Sequence, residues 1–202
     1  MDTVLHTERL ELVPITVAMV EAFLHGRRAD AEALVDARLP GQWPNRDLVE
    51  RAFSADLVAI RANPDHRLWG DRVMVDRALR RVVGSVVFHG GPEGGPGGGP
   101  EVGTVEVAYG VERDAQGKGY ATEGVRAQVA WALGQEGVRL VKATTFPIHR
   151  ASRRVLEKCG FRQARVIEHD VFGEALEYEC AAVARAEAVV PRAALDFPSH
   201  GW

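Results

Sequence analysis

One stretch of the chain combines residue types and spacings that suit chemistry. Gln116-Gly117-Lys118-Gly119-Tyr120-Ala121 sets two glycines and a lysine between an alternating run and a helical one. Upstream, Val105, Val107, Tyr109 and Val111 alternate with Thr104, Glu106, Ala108 and Gly110, the period of a strand with two unlike faces. Downstream, Val125, Val129, Ala132 and Leu133 recur along one side of a helix. A glycine loop entering a helix turns several backbone N–H groups the same way, at the positive end of the helix dipole. That arrangement suits an anion, and a phosphate above all. The plainer alternative for Gly117 and Gly119 is a turn that merely starts a helix.

Spacing excludes two familiar phosphate loops. A P-loop requires G-x-x-x-x-G-K-[ST]. Here Gly119 stands where the Ser or Thr would be, so no hydroxyl is available for magnesium. A dinucleotide fingerprint requires G-x-G-x-x-G/A followed by an acidic residue at the end of a second strand. Thr122 occupies the third glycine position, and Gln135-Glu136-Gly137 reads as a helix end.

The loop resembles the pyrophosphate loop of the GNAT superfamily of N-acetyltransferases, [QR]-x-x-G-x-[GA]. Three further segments share the resemblance. Glu106 to Val111 is similar to the family's central strand. His149 to Phe161 is similar to its N-x-x-S-x-x-x-[LY]-E-K-x-G-F segment, through Ser152, Leu156, Glu157, Lys158, Gly160 and Phe161. Thr7 to Pro14, T-E-R-L-E-L-V-P, resembles the first strand of the branch that includes ribosomal-protein-alanine N-acetyltransferases. The likeness extends to about Ala184. One departure is His149, where the family usually has Asn.

The resemblance implies acetyl-CoA as co-substrate and an amine as acceptor. The backbone from Gln116 through Gly117, Lys118, Gly119, Tyr120 and Ala121 to Thr122 would hold the diphosphate, with Lys118 adding charge. Glycine lets the backbone approach closely. Tyr109, Gly110 and Val111 would meet the pantetheine arm in a wedge between diverging strands, with a bulge in the central strand. Transfer to an amine requires a base for the ammonium, stabilisation of the thioester oxygen and neutralisation of the leaving thiolate. Glu106 is the candidate base, acting through water, since it shares a face with small Ala108 and Gly110. A solvated strand carboxylate is the alternative. Ser152 would lie near the sulfur and assist the thiolate, or only bond backbone in a first helical turn. His149 would donate to CoA, serve as acid or base, or simply start a helix. Arg150, Arg153 and Arg154 could reach the 3′-phosphate or form a solvated face. No histidine has metal-ligand spacing. A non-catalytic CoA-binding or regulatory module is the second reading, motivated by His149.

These residues need a scaffold, and the rest of the chain reads as one. Arg9 to Ile15 alternates as a strand, and Thr16 can cap a helix bearing Met19, Val20, Phe23 and Leu24. A short helical piece follows through Ala31 to Val35. Val49, Phe53, Leu57 and Ile60 form another amphipathic stripe, stopped at Asn63-Pro64. Leu68 to Val75 and Arg81 to Phe88 read as an antiparallel pair. Gly90 to Pro100 has no apolar residue to bury and reads as a flexible loop. Val138 to Phe146 should lie parallel to the central strand after a helical crossover. Arg150 to Cys159 is a helix with Gly160 as its cap, and Phe161 to Val171 and Ala175 to Val183 make a closing hairpin. The expected fold is a three-layer α/β domain over residues 1–184, a mixed sheet with helices on both faces. The acceptor pocket is expected from the N-terminal helices, the Pro40–Pro44 connector and the closing hairpin, with Trp43 and Trp69 as lining or as ordinary packing. The tail at 185–202 reads either as loosely ordered or as packed on another subunit of a homodimer.

Composition agrees with such a domain. A chain of 202 residues with 46% apolar and 26% charged content suits one core. A net charge of −3 exerts no general pull toward nucleic acid or a membrane surface. Cys159 and Cys180 are too few for a disulfide framework and read as buried thiols. With charges at Asp2, Glu8 and Arg9 and no run of transmembrane length, the expected location is cytoplasmic.

Overall fold

Thr16 does cap a helix. Its hydroxyl accepts from the Met19 amide, and α1 runs Val17–Leu24 with Met19, Val20 and Ala22 buried. The expected stripe is narrower at its end, because Leu24 is 42% exposed. The computed structural model describes residues 4–41, 44, 54–92, 101–169 and 173–181. Trp43, Val49, Phe53, most of the Gly90–Pro100 loop and the 185–202 tail therefore lie outside the described residues.

The remaining elements follow in order. β1 (Leu5–His6) and β2 (Leu10–Pro14) precede α1; α2 (Arg28–Val35) and α3 (Ser54–Ala62) follow it. A 3₁₀ segment, Pro64–Trp69, leads into β3 (Asp71–Asp76) and β4 (Arg81–Phe88). β5 (Thr104–Val111) is followed by α4 (Tyr120–Leu133), β6 (Leu140–Thr145), α5 (Arg150–Lys158), β7 (Arg162–His169) and β8 (Gly173–Ala181). One correction concerns Leu68 and Trp69, which lie in the 3₁₀ turn and not in a strand. Pro64 at its N-terminus and the Asn63 side chain, which accepts from the Asp65 amide, start that turn.

The strands form one eight-stranded sheet in the order β1-β2-β3-β4-β5-β6-β8-β7. β5 and β6 are parallel, as the helical link between them required, and the other neighbours are antiparallel. Both faces of β3 are covered, so all six of its residues are buried. Val73 and Val75 pack with Ile15, Met19, Val20, Ala31 and Val35 of the α1–α2 layer. Met74 turns the other way and joins Leu12, Val86, Val107, Val125 and Leu156 in the second core. Each such aliphatic side chain contributes on the order of 1.5–3 kcal/mol on burial. The result is helix, sheet, helix, the expected mixed three-layer arrangement.

The predicted bulge falls on a different strand. β5 pairs with β4 without a shift from Val107 to Val111. The register shift lies between β3 and β4, at Met74/Val75, where β4 carries the extra residue Val83. Trp69 follows the packing alternative: it stacks in an aromatic cluster with Trp131 (4.8 Å) and Phe88 (5.7 Å). No helix among the described residues is long and apolar enough to cross a membrane.

Candidate active site

β5 and β6 stay together for only three pairs, Thr104↔Leu140, Val105↔Val141 and Glu106↔Lys142. Beyond them β5 continues along β4 and β6 along β8. The gap is a cleft of about 920 Å³. Val107 to Val111 form one wall and Ala143 to Phe146 the other. In a strand, backbone groups point alternately to its two neighbours. With β6 withdrawn, those of β5 that face away from β4 open onto the cleft.

Gln116, Gly117 and Gly119 to Thr122 line the end of this cleft. Gly117 (φ 75°) and Gly119 (φ 87°) are left-handed, a conformation that strains other residues. Gly119 is the N-cap of α4 and offers no side-chain cap. Among the described backbone bonds, none has an amide of residues 117 to 122 as its donor; the first amide donating back to the loop is that of Glu123, to Gly119 O at 3.1 Å. The row of amides and the helix dipole therefore remain available to an anion. Gln116 turns its amide to Val111 O, 3.0 Å away. The Lys118 ammonium donates to Asp114 O at 2.9 Å, and Lys118 is not among the residues lining the cleft.

The far wall is one side of α5, from its N-cap to its last turn. His149, Ser152, Arg154, Val155 and Lys158 all line the cleft. The Tyr109 hydroxyl donates to Ser152 O at 3.1 Å and lies 2.9 Å from Ser152 Oγ. Burial pushes the Tyr109 phenol up, against a smaller opposing effect of its Ser152 bond, so it stays protonated through neutral pH. His149 is the N-cap of α5 without a side-chain cap bond, its ring edge-on to Phe146 at 5.5 Å. Of the three arginines considered, Arg154 reaches the cleft, whereas Arg153 turns to the Tyr178 hydroxyl. Lys158, read only as part of a motif, adds a second cation beside Arg154.

Glu106 is not itself in the cleft wall. Its Oε1 accepts from Thr144 Oγ1 at 2.8 Å, and Thr144 lines the cleft, so the carboxylate stands one side chain behind it. Nearby carboxylates are committed elsewhere: Glu177 lies 3.6 Å from the buried Lys142 ammonium and 2.8 Å from Arg165, and Glu101 and Glu179 are both 3.9 Å from Lys142. Glu106 has no ion pair among the described residues. Cys159, pushed up to about 11 by burial, contacts Thr122 O and is an inert thiol here.

A second network was not foreseen. Glu123, in the first turn of α4, accepts from Thr7 Oγ1 (2.6 Å), the Arg9 amide (2.8 Å) and Arg9 Nε (2.7 Å). Arg9 Nη1 reaches Lys118 O at 2.9 Å, and its guanidinium lies 4.7 Å over the Tyr120 ring. The Tyr120 hydroxyl donates to Asp76 in the interior. The sequence signal was the T-E-R stretch beside β2, read there only as strand.

Residues 9–162 match the family model described as an acetyltransferase (GNAT) domain. The chain is 27% identical over 161 residues to the uncharacterized N-acetyltransferase YjdG of Bacillus subtilis (strain 168), covering 78% of this chain and 88% of that one. It is similar to a solved structure from Bordetella pertussis described as a GNAT-family acetyltransferase (26% identity, TM-score 0.62, 88% of this chain and 99% of that one). The fold is also shared with the ribosomal L7/L12 α-N-protein acetyltransferase RimL, solved with coenzyme A (13% identity, TM-score 0.59, 88% and 97% coverage).

Proposed function

The chain belongs to the GNAT acetyltransferase family, and on that premise we propose that it moves an acetyl group from acetyl-CoA directly to a primary amine, on a small molecule or at a protein N-terminus. The observation that carries this reading is the row of unused amides from residue 117 to residue 122, opening on a cleft between two separated strands. A diphosphate accepts from such a row, and the cleft lining runs from that loop past Val111, Gly110 and Tyr109 to Ser152, the course a pantetheine arm would take. Arg154 and Lys158 offer positive charge for the nucleotide's 3′-phosphate.

The chain's own groups then divide the work. Glu106, which has no ion pair among the described residues, takes the proton from the acceptor ammonium through a water at Thr144. The freed amine nitrogen attacks the thioester carbon; the C–N bond forms, the C–S bond breaks, and sulfur leaves as thiolate. Ser152 gives the thiolate a proton. It recovers one from Tyr109 when the phenol donates to Ser152 Oγ, a pairing that the 2.9 Å separation supports. The second proton, shed by the acylated nitrogen, returns through water to Tyr109, so that the ammonium's two protons are balanced by one on Glu106 and one on the CoA thiol. No covalent enzyme intermediate is required, because the thioester is already activated.

The test is acetyl-CoA binding by calorimetry, followed by free-thiol release with a panel of amines. Micromolar binding with release by at least one amine is the expected result. Binding without release by any amine would turn the reading into a CoA-binding module, and no binding would end it. Glu106→Gln should lower kcat by about a hundredfold to ten-thousandfold, a typical loss for a general base, with CoA affinity intact.

A further inference from the structure

We propose that Arg9 is a positioning residue for the co-substrate's diphosphate, acting through the Lys118–Gly119 peptide, with Glu123 and Thr7 holding it in place. This rests on the CoA reading above. A trans peptide is planar, so the carbonyl of one residue and the amide N–H of the next point in opposite directions. Arg9 Nη1 holds Lys118 O from the side of β2 at 2.9 Å. That bond directs the Gly119 N–H the other way, toward the cleft that Gly119 lines. The fit is close: a Cβ added to Gly119 would stand 3.3 Å from Arg9 Nη2.

The guanidinium itself is fixed on three sides. Arg9 Nε and Nη2 both lie 2.7 Å from Glu123 Oε2, and the Tyr120 ring lies beneath it. Thr7 occupies the other carboxylate oxygen together with the Arg9 amide. Lysine could supply the charge, but not a planar fork that spans Glu123 and Lys118 O together. The pair also solves an electrostatic problem. A carboxylate in the first turn of α4 would repel a diphosphate bound at the same helix end. Arg9 neutralises Glu123 and leaves the amides' positive potential to the ligand.

The distinguishing experiment compares acetyl-CoA with S-acetylpantetheine, which carries the same thioester and lacks the diphosphate. Arg9→Lys should reduce the preference for acetyl-CoA, measured as the ratio of the two kcat/KM values, about tenfold, as expected for one charge-assisted hydrogen bond. KM for acetyl-CoA should carry that loss and kcat should not. Glu123→Gln should move the ratio in the same direction by less, since it also removes the repulsive charge. An unchanged ratio in Arg9→Lys, or equal losses with both donors, overturns the proposal. If Arg9→Lys does not fold, Glu123→Gln and Thr7→Val carry the same comparison. Failure of the catalytic reading is separable: with no turnover in the wild type, calorimetry of CoA against pantetheine in the same variants still reads the ratio. A wild type that binds CoA no better than pantetheine overturns both.

Discussion

The two edges of β5 are treated differently. Along one, five residues from Val107 to Val111 are laddered to β4. Along the other, three residues hold β6 and the strands then part. The closed edge commits its backbone groups to the protein. The open edge and the loop after it leave theirs exposed in a cleft, where each unmet group would cost about 1–3 kcal/mol if buried dry. A single strand thus serves as wall and as binding surface, with the closed edge fixing the position of the open one.

The largest effect should come from attacking the closed edge. A Cβ on Gly84 would lie 2.1 Å from Gly110 O and 2.9 Å from Val111 Cα, both backbone atoms that cannot swing aside. Gly84→Ala should destabilise the fold by about 3 kcal/mol, at the upper end of overpacking costs, lowering the melting temperature by several degrees. A melt equal to the wild type would mean that the two edges are not mechanically linked. Gly119→Asp attacks the open edge. It puts a carboxylate against the diphosphate site and a side chain at φ 87°. CoA affinity should fall about a hundredfold or more, near 2.7 kcal/mol, while the melt changes by less than for Gly84→Ala, since backbone strain there is only about 1–2 kcal/mol. The reverse ranking in the melts would erase the distinction between the edges.

Acid should give the smallest change. Burial alone would raise Asp76, but the Tyr120 hydroxyl and the amides of Leu79 and Ala78 outweigh it and hold the carboxyl below its ordinary value. Burial likewise opposes ionisation of Glu123, and Thr7 and Arg9 outweigh it. Both groups are depressed in the folded state. Their contribution is therefore complete above the ordinary carboxylate range and is lost as pH falls through the lower folded values. Melting temperature should hold from pH 7 to about 5 and decline below about 4. Tyr120→Phe should flatten the part of that decline due to Asp76; an identical acid profile would show that this bond contributes nothing to stability.

Much of this was legible in the residues. Alternation gave β5, the glycines gave the loop, and helical spacing gave α1, α4 and α5, because each is a local pattern with its own period. β3 was less legible. Covered on both faces, its Val73-Met74-Val75 centre is apolar without alternation, and the preceding Leu68 and Trp69 merged with it. Lys118 looked like a phosphate ligand because a lysine between two glycines carries charge to the right neighbourhood, yet its ammonium turns back to Asp114 O. The reach of a flexible side chain is not a property of its position in the chain. Glu106 and Ser152 were readable as candidates, but not the Thr144 hydroxyl in front of one or the Tyr109 phenol beside the other.

By itself the sequence determined the β5 strand, the glycine loop after it and the helices α1, α4 and α5. These depend on residue types within a few positions of one another. Only the tertiary structure decided that β5 and β6 part after Glu106, that Arg9 grips a loop 109 residues away, and that Tyr109 meets Ser152 across the cleft. Those contacts join segments far apart along the chain, and nothing in either partner alone fixes the distance between them.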